Sequence, residues 1–277
     1  MTEDLLRTPE GFRSGYIVVA GRPNVGKSTL FNALVGERLA IITSKPQTTR
    51  NNILGILTTG SVQMLFLDTP GLLDPQYRLQ QVMVDQAREA LTDADVLLGV
   101  VDASDLERSF DEGVREAIRA EGIPLLVALN KADLVGGDQI EQASDFVRAS
   151  IPAAEVLEVS ARTGSGIPEL RSALEAALPP GPLYYPEDTL TEQPERFFVA
   201  ELVREEAFEQ LRQEVPYAIA TRIEEFREEG RKTYIRAEIL VERPSQKGIV
   251  IGTGGKTLKS IGRRARHKIE DFLARPV

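Results

Sequence analysis

The 277-residue sequence predicts an α/β fold, a mostly parallel sheet with helices on both faces, followed by a small α+β domain. Three observations carry this. A glycine loop, Gly21-Arg22-Pro23-Asn24-Val25-Gly26-Lys27-Ser28, stands between a β-branched stretch and a helical one. Two continuous apolar runs of strand length, Asp95–Val101 and Ile123–Leu129, alternate with helical segments, as parallel strands covered on both faces do. The break Pro179-Pro180-Gly181-Pro182 can continue neither a helix nor a central strand, and the charge pattern changes after it.

In order, residues 1–14 read as a polar leader and Tyr16–Ala20 as a buried strand. The glycine loop leads into a helix beginning Thr29-Leu30-Phe31. Residues 41–50 are polar and broken by Pro46, which predicts an exposed loop. Ile53–Thr59 and Val62–Leu67 form a hairpin across Gly60-Ser61. Helical spacing follows over 75–92, over 107–121 and over Asp138–Ser150. Glu155–Val159 is the last strand of this part, and Pro168–Leu178 is a helix with proline at its start. The first domain therefore spans 15–180, a linker 181–195 and a second domain 196–277. In the second domain, Phe197–Val203 reads as strand and Glu205–Gln213 as helix. Ala218–Phe226 and Tyr234–Val241 read as strands, with helices near 245–250 and over Lys256–Leu273.

Composition narrows the function classes. No cysteine is present, so disulfides and thiolate metal sites are excluded, which suits a reducing cytoplasm. Residues 1–15 contain no apolar run of the kind a secretory signal needs. No stretch approaches 18 uninterrupted apolar residues, so no membrane span is expected. A net charge of −9 argues against a general nucleic-acid binder, but the charge is unevenly spread.

The glycine loop fits G-x-x-x-x-G-K-[ST], a phosphate-binding pattern. Its backbone N–H groups and the following helix N-terminus converge on one point, where both favour an anion. Lys27 is expected on the β- and γ-phosphates, the Ser28 hydroxyl on Mg²⁺, and Thr29 in the first turn. Asp68-Thr69-Pro70-Gly71 ends a strand. A carboxylate there can hold Mg²⁺ through water, and the Gly71 N–H can face a γ-phosphate. Asn130-Lys131-Ala132-Asp133 follows another strand. The Asp133 carboxylate can accept from guanine N1–H and the 2-amino group, a donor pair adenine lacks. Ser160-Ala161-Arg162 ends the last strand, where the Ala161 N–H can reach the guanine oxygen.

Residues 243–275 hold nine Lys/Arg against two acids, while residues 195–242 hold twelve acids against eight bases. A basic block in an acidic chain is an electrostatic footprint for phosphate backbone. Within it stands Gly252-Thr253-Gly254-Gly255-Lys256, then Lys259, Arg263 and Arg264. A GxxG loop between helices clamps single-stranded RNA in KH domains. His267 is assigned to the basic helix surface, without a catalytic role.

The first set of motifs, each at a strand end, resembles the translation-factor-related small GTPases over residues 14–180. That resemblance implies GTP hydrolysis with Lys27, Thr49 and Gly71 at the γ-phosphate, and Mg²⁺ on Ser28, Thr49 and Asp68. The adjacent Thr48 is the other candidate for the threonine's place. Asn24 matches an asparagine that holds K⁺ in some relatives, and Leu72 replaces the usual water-orienting glutamine. With a type II KH-like domain behind it, and with Lys45–Arg50, Gln193–Phe197 and Glu214–Tyr217, nearly the whole chain resembles the Era family of bacterial GTPases. The family implies binding of small-subunit (16S) ribosomal RNA in 30S assembly, and peripheral association with the inner membrane. The rival readings are a GTPase acting on another RNA, on tRNA modification or on the large subunit, and an RNA chaperone with a regulatory or structural nucleotide.

Overall fold

The computed structural model describes residues 8–277 except 44, 46, 120 and 121. Half of the expected leader and the end of the expected 107–121 helix lie outside the described residues. The chain forms two compact units. One runs to Ala40 and resumes over Thr49–Glu192; the other combines Ile41–Thr48 with Gln193–Val277.

The first unit is built on six strands: β1 (Arg13–Ala20), β2 (Ile53–Thr59), β3 (Val62–Asp68), β4 (Val96–Asp102), β5 (Leu125–Asn130) and β6 (Glu155–Glu158). Their spatial order is β2-β3-β1-β4-β5-β6. Only β2, the outer arm of the hairpin, runs antiparallel to its neighbour. The other pairings are parallel. Every residue of β4 and of β5 is buried, which is why those strands are apolar without alternation. The helices are α1 (Lys27–Val35), α2 (Arg78–Thr92), α3 (Leu106–Ser109), α4 (Glu112–Ile118), α5 (Gly137–Ser150) and α6 (Ile167–Ala177).

The single helix expected over 107–121 is thus two. Phe110 turns into the core between them, 2% exposed, and Asp111 restarts the helix by accepting the Val114 N–H at 3.0 Å. Chain order reverses at β1, where β3 lies on one side and β4 on the other. In such sheets ligands bind outside the carboxyl ends of the strands, near that reversal. The ends of β1, β3, β4 and β5 carry Ala20, Asp68, Asp102 and Asn130.

The second unit opens with α7 (Glu195–Gln210). The hairpin β7 (Ile219–Glu229) and β8 (Lys232–Val241) follows, then α8 (Pro244–Ile251) and α9 (Lys256–Leu273). The strand expected over Phe197–Val203 is instead part of α7. That run is strand-like in composition because the helix is covered on several sides. Val199, Leu202 and Val203 pack with Ala265 and Ile269, while Ala207 and Phe208 pack with Val250 and Ile261. A helix buried on several sides has no polar stripe to betray its period. By contrast, α9 buries only Ile261, Ala265 and Ile269, spaced four apart, and most of its other residues are polar.

Candidate nucleotide and nucleic-acid sites

The phosphate-binding loop leaves the end of β1 and feeds α1. Gly26 caps α1 with a left-handed backbone, φ 98°, and a Cβ there would fall 2.2 Å from Asn130 Nδ2. Glycine is required on both counts. Asn130 ties the loop to the guanine motif: its Nδ2 donates to the Val25 carbonyl at 2.9 Å, and its Oδ1 accepts the Ala161 N–H at 3.0 Å. Arg22 turns to Asp111 at 3.3 Å. Asn24 is exposed, with φ 66°. The Leu72 N–H donates to the Gly21 carbonyl at 3.0 Å, which brings Gly71 beside the loop. The Leu72 side chain packs in the core cluster with Val18 and Ala87, so it cannot orient a water.

Lys27 is 6% exposed, and its ammonium donates to the Gly21 and Arg22 carbonyls at 3.2 and 3.0 Å. Burial lowers its pKa to about 8, against the opposing pull of Asp68. Beside it stand three oxygen-bearing side chains. Ser28 Oγ donates to Asp68 Oδ2 at 2.8 Å and lies 2.8 Å from Thr49 Oγ1, which donates to the same Oδ2 at 3.1 Å. Asp68 is fully buried, and burial raises its pKa to about 6. Its Oδ1 is buried with no hydrogen-bond partner. Two hydroxyls and a carboxylate that keeps one buried oxygen unsatisfied are a hard-oxygen donor set, and they fit Mg²⁺. Thr49, not Thr48, stands in this cluster; the Thr48 hydroxyl bonds to Thr43 and to the Lys45 carbonyl.

At the guanine motif, Asp133 accepts hydrogen bonds from the Ser160 hydroxyl and the Arg162 guanidinium. The Ser160 bond, followed by the Arg162 bond, holds its carboxyl below the ordinary carboxylate range. The carboxylate is therefore ionised and ready to accept from a base. Lys131 adopts φ 62°, and its ammonium pairs with Asp102 at the end of β4. Asp102 belongs to none of the sequence motifs. Its signal is its place, since it sits opposite Asn130 in the β4–β5 register.

In the second unit, Gly252–Gly255 link α8 to α9. Gly252 has φ 71°, and a Cβ there would meet Thr257 Oγ1 at 2.2 Å. A Cβ on Gly254 would meet nothing, so only its φ of 61° asks for glycine. Thr253, Lys256, Lys259, Arg263 and Arg264 are all exposed, as is His267. Two other members of the basic block are spent internally. Lys268 pairs with Glu205 and Glu206, and Arg275 with Glu195 and Glu228. Ile249 and Leu258, 52% and 42% exposed, flank the turn with apolar surface. A separate cavity of about 570 Å³, lined by Ile235, Ile239, Val250, Ile261 and Ala265 among others, includes none of the four glycine-turn residues.

Two family models match separate parts of the chain. Residues 16–131 match the family described as 50S ribosome-binding GTPase, and residues 214–277 match the KH domain. GTPase Era of Syntrophus aciditrophicus is 45% identical over 95% of this chain and 87% of its own length. GTPase Era of Synechocystis is 44% identical over 97% of this chain and 86% of its own. Two solved structures superpose with a TM-score of 0.90 at 37% identity, covering 96% of this chain and 91% of theirs. One is Aquifex aeolicus Era with GDP·AlF4⁻; the other is Era with MgGDPNP and nucleotides 1506–1542 of 16S ribosomal RNA. With a likeness that runs through both units at this level of identity, the chain belongs to the GTPase Era family.

Proposed function

We propose that this chain hydrolyses GTP with Mg²⁺ and binds the 3′ region of 16S ribosomal RNA, acting in assembly of the 30S subunit. The observation that carries the reading is the similar Era structure that holds a GTP analogue and 16S RNA at once. In this reading residues 15–180 form the nucleotide domain, 181–195 a linker and 196–277 the RNA-binding domain. Gly21–Thr29 wrap the phosphates, and Asp133, with Asn130, Lys131, Ser160, Ala161 and Arg162 around it, selects guanine. The Lys27 ammonium and the loop amides stabilise charge developing on the β- and γ-oxygens. The Gly71 N–H faces the γ-phosphate. Ser28 and Thr49 would ligate Mg²⁺ directly and Asp68 through water. When bound, the ion neutralises the β- and γ-phosphate oxygens.

Because Leu72 is packed in the core, another group must assist the attacking water. The reading gives that part to K⁺ held by Asn24, whose exposed place in the loop supports it. On the RNA side, Gly252–Gly255 offer backbone N–H groups, and Lys256, Lys259, Arg263 and Arg264 neutralise phosphate. Among the described residues no helix is long and apolar enough to cross a membrane. In this reading, peripheral contact with the inner membrane rests on surface charge and exposed apolar side chains.

GTP turnover by the purified protein, with and without that 16S fragment, in K⁺ and in Na⁺ at equal ionic strength, tests the reading. Hydrolysis is expected in both RNA conditions, faster in K⁺ than in Na⁺. Equal rates in the two salts remove the potassium role. No hydrolysis in any condition leaves the RNA-chaperone alternative standing.

A further inference from the structure

Asp102 closes β4 and faces Asn130 across the parallel pair with β5. It is buried, and its two carboxylate oxygens do different things. Oδ1 accepts the Ser104 N–H at 2.9 Å and the Ser104 hydroxyl at 2.6 Å, which closes the turn after the strand. The main chain closes that turn a second time. The Asp102 carbonyl accepts the Asp105 N–H at 3.1 Å, and Ser109 Oγ donates to the same carbonyl while accepting the Asp102 N–H, both at 3.1 Å. The turn therefore needs nothing from Oδ2, which is left to the Lys131 ammonium.

Lys131 starts from a constrained backbone, φ 62° and ψ 31°, the left-handed region that a lysine seldom occupies. Such strain persists only where the surroundings fix it, and it gathers at ligand sites. Here both neighbours are tied down. The Asn130 carbonyl accepts the Ala103 N–H at 2.9 Å, and the Ala132 N–H donates to the Val159 carbonyl at 3.1 Å. Between this fixed backbone and the ammonium at Asp102 lies the four-carbon stem, two residues before Asp133. The lysine side chain keeps 31% of its surface open, so the stem has an uncovered side. A partly open ion pair of this kind adds little to stability. What it does settle is where the stem lies: an apolar ledge near the Asp133 carboxylate, on which a purine face can rest.

We propose that Asp102 is a positioning residue of the guanine site: its Oδ2 holds the Lys131 ammonium, and so holds the lysine stem against the face of the base whose edge Asp133 reads. The proposal rests on the reading of Lys131 as part of that site. Asp102 acts on the base end of the nucleotide, so its effect is the same for a diphosphate and a triphosphate.

GDP and a non-hydrolysable GTP analogue, each with Mg²⁺, are titrated by calorimetry against the parent chain, Asp102→Asn, Lys131→Met, the two together and Ser104→Ala. Thermal melting without nucleotide is followed on the same preparations. Asparagine keeps an acceptor for Ser104 and removes only the charge that holds Lys131. Asp102→Asn should weaken GDP and the analogue by the same factor, at least about fivefold, and Ser104→Ala should move both the same way by about twofold. In the Lys131→Met background, Asp102→Asn should cost nothing further. An equal loss in both backgrounds would overturn the proposal, because Asp102 would then act through the fold. Parent affinities for Asp102→Asn beside weakened binding for Lys131→Met would overturn it too, and leave the guanine site standing. If Lys131→Met itself leaves both affinities at parent values, the reading of Lys131 fails and the positioning role with it. Should melting show that Asp102→Asn does not fold, the cycle is run with Ser104→Ala, whose loss must likewise vanish in the Lys131→Met background.

Discussion

Two lysines open two helices in the same way, and their surroundings give them opposite chemistry. Lys27 begins α1 after Gly26, and Lys256 begins α9 after Gly255; both glycines are left-handed, with φ 98° and 76°. Lys27 is buried beside Asp68 in a cluster whose polar atoms are bonded to one another or left waiting for a ligand. Lys256 is exposed, one of several cations along an open helix face. The first arrangement suits one small, highly charged anion and its metal, at fixed distances and out of water, where each interaction is strong. The second suits a polymer of phosphates, where many screened contacts add up and no single one dominates.

The contrast sets the sizes of the expected effects. Lys27→Met should reduce GTP hydrolysis by at least about 100-fold, because a preorganised charge at the γ-phosphate is lost. Steady-state turnover measures it; a fall of only a few-fold would show that the buried lysine acts like a surface one. Next is base choice. Asp133→Asn puts a donor where guanine offers donors and xanthine an oxygen, so the GTP-to-XTP preference should move by at least about 100-fold toward XTP in competition binding. An unmoved preference would take Asp133 out of the base site.

Third is a cost that only the buried cluster carries. The raised pKa of Asp68, about 6, means that the folded, nucleotide-free protein holds this proton more tightly than the unfolded chain does. Stability from this group is therefore present at low pH and is lost as pH rises from about 4 to about 6. Asp68→Asn should raise the melting temperature of the nucleotide-free protein at pH 7.5 by about 2 °C or more, and the gain should shrink at pH 5. Stabilisation by Mg²⁺ and GTP should disappear in the same variant. The smallest effect belongs to the exposed lysine: Lys256→Met should weaken RNA binding only about threefold and lower the salt slope by about one.

The two units also differed in how much their sequence disclosed. In the first, function depends on backbone turns and short-range chemistry, so Gly21–Ser28, Asp68 and Asn130–Asp133 appear as contiguous motifs. Asp102 escaped because its partner Lys131 reaches it across a parallel strand pair, a non-local contact. In the second unit the helix–turn–helix around Gly252–Gly255 was legible from its glycines and the period of α9. The α7 helix is not legible in the sequence, because covering several of its faces erases its amphipathic signal. Charge counting gave the basic block, but which cations are free depends on tertiary pairing: Lys268 faces Glu205 and Glu206 on α7. The hydrogen bonds from the Lys45 ammonium to the Phe208 and Leu211 carbonyls leave no trace in a sequence, since any helix end offers such acceptors.

The central claim is that one chain carries two separable anion sites, a buried one for GTP and an exposed one for RNA. Replacing Thr253 and Gly254 together by Asp tests it most directly. Asp tolerates the left-handed backbone at 254 better than most residues, and open space surrounds that position, so the fold should survive. Filter binding of the 16S fragment and GTP-analogue titration are run on the same folded preparation. RNA affinity should fall by at least about tenfold, with nucleotide affinity and RNA-free hydrolysis at parent values. Normal RNA binding by the double variant would contradict the account, because the turn would then be only a connection between helices.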